Sequence, residues 1–137
     1  MKQNIATLVI AAIALVFLAM HSSALPWTPM RIAGVAIGIP AFLLLIVARM
    51  QLGSAFSLRA RASTLVTTGL YSRIRNPVYL FGGLSALGIF LWSGHPWLLL
   101  ALLVLVPLQI VRIRKEEQVL AEKFGDAYLN YKRTTWF

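Results

Sequence analysis

The stretch 64-TLVTTGLYSRIRNPVY-79 decides how the rest of the chain is read. It lies between apolar segments, yet it holds Tyr71, Arg73, Arg75, Asn76 and Tyr79 within nine residues. Gly69 permits a turn that side-chain-bearing residues resist. Pro77 lacks an N–H and suits the first turn of a helix, and it pushes the preceding Asn76 out of the α region. The stretch therefore predicts a polar connection, a turn at Gly69 and a helix that starts at Asn76–Pro77 and enters the membrane. Two readings stay open on these residues: a basic loop resting on the membrane surface, or a ligand site at the membrane–water boundary.

The surrounding composition supplies the membrane. The chain has 137 residues, enough for one domain, and is 59% hydrophobic but only 12% charged. Soluble domains carry roughly 25% charged residues, so half that proportion indicates an integral membrane protein. The net charge of +9 comes from residues beside the apolar runs. Anionic lipid headgroups suit that pattern better than nucleic acid does. No cysteine is present, which excludes disulfides, thiol nucleophiles and cysteine metal ligands. His21 and His95 lack companions at ligand spacing, so no metal site is expected.

Residues 5–25 form an uncharged run long enough to span. A signal peptide is the competing reading, disfavoured because a second span follows at once. That second run, residues 32–48, contains Gly34, Gly38 and Pro40 and is closed by Arg49. Its G-x-x-x-G pair allows close helix approach, either to another molecule or, the favoured reading, inside the protein. Residues 77–92 and 97–111 are two further apolar runs around Ser93-Gly94-His95-Pro96, each short for a span. They make either a tight transmembrane hairpin or one that stops short of the far surface. Pro107 is expected to kink the second, and Gly82-Gly83 to serve packing. From Arg112 the helix should continue into water as far as Phe124, with Arg112, Glu116, Leu120 and Phe124 on one face at i, i+4 spacing and Gly125 as its cap; Glu116 either faces a ligand or pairs with Arg112 one turn earlier. Asp126 is expected to cap a final short helix, and Trp136 and Phe137 to touch the membrane surface.

The expected architecture is thus an all-α, polytopic membrane helical bundle. It has about four transmembrane helices and a cytoplasmic C-terminal helical extension. Residues 1–50 supply two spans, and residues 51–137 supply the binding half of a single domain. Arg49, Arg59, Arg61, Arg73 and Arg75 flank one loop, and six basic residues follow from Arg112 to Arg133, against Arg31 alone between the first two spans. The positive-inside rule then puts the loop, the tail and both termini on the cytoplasmic side. This topology brings 64–79 and the Arg112–Glu117 stretch to one mouth, with arginines, two carboxylates, an amide and two phenols around one spot. No Ser-His-Asp set and no Gly-rich phosphate loop appears. Group transfer from an activated cofactor asks least of such side chains.

The ordered set LVTTGLYSRIRNPVY, an apolar hairpin, R-x-R-K-E-E-x-x-L and FGDAYLNYKR resembles the isoprenylcysteine carboxyl methyltransferase family and the related membrane phospholipid methyltransferases. The match runs from Ser63 to Arg133. It implies an enzyme that uses S-adenosylmethionine on the cytoplasmic side and methylates a lipophilic acceptor: a carboxylate, amine or alcohol. Carried over from that resemblance, the cofactor would be lined by Ser63, Thr64, Leu65, Val66 and Tyr71, by Asn76, Pro77, Val78 and Tyr79, and by Glu116. Arg112 would be catalytic, facing the acceptor. Glu117, Tyr128 and Tyr131 would support the site. Asn76 stands where the eukaryotic prenylcysteine enzymes have histidine; it cannot titrate near neutral pH, which argues against a proton shuttle there. Ser63 also replaces a frequent histidine, so prenylcysteine is not assumed as acceptor.

Two other classes compete. Membrane steroid reductases resemble the same Asn-Pro-x-Tyr block but use NADPH and continue it differently from Leu80-Phe81-Gly82-Gly83. A non-enzymatic lipid-binding scaffold would use the arginines for headgroups alone. The acceptor and the oligomeric state are not legible in the sequence.

Overall fold

The computed structural model describes residues 26–53 and 65–137. The predicted first span, and Ser63 and Thr64 among the expected cofactor residues, lie outside the described residues. Four α-helices make up the described part: α1 (Pro29–Leu52), α2 (Pro77–Ser93), α3 (Leu100–Phe124) and α4 (Asp126–Thr134). No strand occurs among the described residues; the nearest approach is an isolated parallel bridge between Ile74 and Trp136. The protein is an all-α membrane helical bundle.

Local chemistry sets the helix ends. Thr28 caps α1, its hydroxyl accepting from the Arg31 N–H at 3.4 Å, with Pro29 in the first turn. α2 begins at Pro77 behind a non-helical Asn76 (φ −124°, ψ 56°), as the dipeptide predicts. α3 runs on through the charged residues to Phe124. Gly125 then serves both as the C-cap of α3 and as the N-cap of α4. Asp126 is therefore not the cap expected of it. It occupies the first turn of α4, where its charge still favours the helix dipole.

Two of these helices, α1 and the stretch Pro96–Phe124 containing α3, are long and apolar enough to cross a membrane. α2, with 17 residues, is shorter, about 25 Å at the helical rise against a hydrocarbon core of about 30 Å. α1 and α2 run antiparallel and meet backbone to backbone. Gly34 lies against the Trp92 and Gly88 backbone, and Gly38 lies 3.3 Å, at its Cβ position, from the Gly88 Cα. A methyl group on Gly88 would overlap the Gly38 backbone. The G-x-x-x-G pair thus serves packing inside the protein, with Gly88 as its third member. Dispersion at such close approach holds membrane helices together, because lipid tails leave little hydrophobic drive. α3 stands apart: Leu100, Leu103, Val104 and Leu108 are all more than half exposed.

At the other end of the α1–α2 pair, Ala48, Tyr71 and Phe81 form a buried cluster, with Val66, Leu70, Ile74 and Val78 packed on it. A 3₁₀ turn at Gly69–Ser72 delivers Tyr71 to this cluster. Gly69 there has φ +62°, and a side chain would strike Gln51. Gln51 holds the turn by accepting from the Leu70 N–H at 2.8 Å.

Candidate active site

The start of α2 and the middle of α3 meet at one mouth of the bundle. The Tyr79 hydroxyl donates to a Glu116 carboxylate oxygen across 37 residues of chain. One residue further on, Glu117 accepts from Arg75 Nε at 2.5 Å, from Lys132 Nζ at 2.8 Å and from Asn76 Nδ2 at 3.5 Å. The two adjacent carboxylates therefore have different environments. Glu117 is bound by two cations with only 13% of its side chain exposed. Burial works to raise its carboxyl, but the hydrogen bonds from Lys132 and Arg75 outweigh that and hold it below the usual carboxylate range. Glu116 forms no ion pair among the described residues. The alternative i, i+4 pair with Arg112 does not form; the phenol of Tyr79 takes that carboxylate instead.

The C-terminal segment completes the mouth. Arg75 N–H donates to the Trp136 carbonyl at 3.0 Å, Asn76 N–H to the Phe137 carbonyl at 2.8 Å, and Trp136 N–H to the Arg73 carbonyl at 3.0 Å. Residues 135–137 thus lie as an extended strap beside 73–76, a pairing no local motif announced. The role at the membrane surface expected for Trp136 and Phe137 leaves their side chains free for it, at 60% and 42% exposure, while their backbone is engaged here. Beneath the strap, the Tyr131 hydroxyl donates to the Tyr71 carbonyl at 2.7 Å. Tyr128 is 1% exposed. Burial pushes the Tyr128 and Tyr131 phenols up to about 12, so both stay neutral donors across the physiological range.

The expected site residues divide by placement. Asn76, Tyr79 and Glu116 surround the mouth, with Arg112 one helical turn before Glu116 on α3. Tyr71 and Pro77 are buried, and the Tyr71 hydroxyl donates to the Ala48 carbonyl at 3.4 Å. Val66 and Val78 pack on the core, leaving Leu65 half-buried beside them. Lys132 and Gln51, both part of the arrangement, carried no sequence signal beyond being polar. No cluster of metal-ligating side chains occurs among the described residues.

Comparison with known protein families matches residues 28–127 to phospholipid methyltransferase, well over half of the chain. The chain belongs to the phospholipid methyltransferase family. No curated protein and no solved structure matches it at a significant level. Membership accounts for the membrane helices and for lipid as the substrate class of the family. The family match covers α1, α2 and α3 and ends at Ala127, just inside α4.

Proposed function

We propose that this phospholipid methyltransferase family member transfers the methyl group of S-adenosylmethionine to the amine of a lipid headgroup at the cytoplasmic membrane face. The observation that carries the reading is the Tyr79–Glu116 hydrogen bond. It sets a carboxylate that has no ion-pair partner among the described residues at the junction of α2 and α3. The donor set fits the cofactor: Glu116 can face a positive group or sugar hydroxyls, and Asn76 and Tyr79 offer polar contacts beside it. S-adenosylmethionine supplies a methyl carbon activated on a sulfonium.

The residues of the chain supply position and charge. Glu116, oriented by Tyr79, draws positive groups to the mouth. Glu117 stays ionised and bonded to Arg75, Lys132 and Asn76, which fixes the start of α2 relative to α3. Arg112, exposed at the water end of the apolar half of α3, suits the phosphate of the acceptor. The amine's lone pair would form the new N–C bond as the methyl's C–S bond breaks, with S-adenosylhomocysteine leaving, and the amine's proton would pass to water at the boundary, since Asn76 cannot take it. Holding two reactants in line contributes on the order of 7–11 kcal/mol in favourable cases. The cytoplasmic assignment rests on charge. The mouth gathers Arg73, Arg75, Arg112, Arg114 and Lys115, while Arg31 holds the opposite end, its guanidinium donating to the Pro26 carbonyl at 3.2 Å.

Isothermal titration of the detergent-solubilised protein with S-adenosylhomocysteine and with NADPH tests the cofactor. Binding of the former alone supports the reading; tight binding of NADPH alone would replace it with a reductase. Incubation with labelled methyl donor and a membrane lipid extract then identifies the acceptor.

A further inference from the structure

α3 carries one amide in its apolar half. Between Leu100 and Val111, every residue but Gln109 is apolar. Its amide oxygen lies over Gly83 of α2, 3.4 Å from the position a Cβ would take. Gln109 is half-buried, and its amide makes no hydrogen bond among the described residues. A polar group left without a partner in hydrocarbon is costly, so an intramembrane amide calls for one.

The register locates it. Gln109 precedes Glu116 by seven residues, about 10 Å along α3, and Gly83 follows Tyr79 by one turn, about 6 Å along α2. Gln109 therefore lies on the same seam as the Tyr79–Glu116 pair, deeper toward the bilayer centre. The polar layer of a leaflet is roughly 5–8 Å thick, so a lipid whose amine reaches the Tyr79–Glu116 pair has its ester groups near the depth of Gln109. Next to Gly83, a Cβ on Gly82 would meet nothing within 4 Å, so this turn of α2 is not filled by side chains of the described residues. Of the two glycines expected to serve packing, Gly83 takes the Gln109 amide against it, while Gly82 meets open space.

We propose that Gln109 positions the acceptor by donating a hydrogen bond from its amide N–H to an ester carbonyl of a diacyl phospholipid lying in the seam between α2 and α3. The proposal rests on the reading that the acceptor is a phospholipid, and it assigns the ester linkage as a feature the protein recognises. Gln109 is a positioning residue, remote from the transferred methyl group.

The test compares ester-linked with ether-linked phosphatidylethanolamine of matched chains. Binding is read by competition against a spin-labelled lipid on the detergent-solubilised protein, and methyl transfer by KM and kcat. The unaltered protein should prefer the ester lipid by roughly three- to tenfold, the value of one hydrogen bond. Gln109→Leu should abolish the preference by raising KM for the ester lipid, with kcat and S-adenosylhomocysteine affinity unchanged. Equal binding of the two lipids by the unaltered protein, or a preference that survives Gln109→Leu, overturns the proposal even where methyl transfer is observed. An ester preference lost in Gln109→Leu without any methyl transfer upholds the lipid contact and removes the enzymatic reading.

Discussion

The hydroxyl of Tyr131 donates to the carbonyl of Tyr71 at 2.7 Å, joining α4 to the 3₁₀ turn across 60 residues of chain. Both residues are buried. The turn that orients the start of α2 is thereby held from below by a helix the family match barely reaches. Tyr131→Phe keeps the ring and strips the donor, leaving a buried carbonyl unsatisfied at a cost of about 1–3 kcal/mol. The expected result is a lower melting temperature in detergent together with weaker S-adenosylhomocysteine binding, read by thermal unfolding and titration calorimetry.

Tyr79 and Glu116 should behave as one unit. Tyr79→Phe leaves Glu116 unoriented, and Glu116→Gln removes the charge that Tyr79 orients. Each is expected to weaken S-adenosylhomocysteine binding by about tenfold, in keeping with a hydrogen bond to a charged group. The double variant should lose far less than the product of the two, because the second change removes an interaction already broken. Full additivity in calorimetry would separate the two residues.

Glycine substitutions should sort by what lies opposite. Gly88→Ala forces the α1 and α2 backbones apart and is expected to destabilise by about 1–3 kcal/mol or more, as overpacking does. Gly82→Ala, facing open space, should leave the melting temperature unchanged or raise it, through better helix propensity. Thermal unfolding of the two variants side by side checks the α1–α2 contact.

Acid should loosen the mouth through Glu117. Its carboxyl is lowered from the ordinary 4.5 in the folded protein. The stability it contributes is complete above that value and is lost as pH falls through the lower folded value. Hydrogen exchange at the Arg75 and Asn76 amides should therefore quicken relative to the rest of the protein as pH drops below about 4.5. Glu117→Gln should show the loosened state already at neutral pH, with its acid dependence flattened.

Much of this arrangement was legible in the chain. Asn76–Pro77 announced the start of α2, Gly69 the turn, and Gly125 the end of α3, because each depends on backbone geometry within a few residues. The meeting of 64–79 with the Glu116–Glu117 pair followed from helix lengths and charge asymmetry. Partner choice was less legible. Spacing left Glu116 open to Arg112 one turn earlier or to a ligand, yet an exposed arginine keeps its water while a half-buried phenol needs an acceptor, and Tyr79 took the carboxylate. The strap at residues 135–137 left no local mark, since extended pairing with 73–76 uses main-chain groups that every sequence carries. The same holds for Gly88: a lone glycine in an apolar helix does not say which backbone approaches it. For Tyr71 and Val66 the residue type alone does not separate a ligand-lining position from a core one, and both sit in or on the buried cluster with Ala48 and Phe81.

The strap sets an order of events during synthesis. Residues 73–76 emerge from the ribosome some 60 residues before the main-chain groups that pair with them, so α1 and α2 can dock while the Arg75 and Asn76 amides still bond to water. Only when Trp136 and Phe137 arrive is the mouth finished. A nascent chain stalled a few residues early should hold its membrane helices in place and yet show no affinity for S-adenosylhomocysteine.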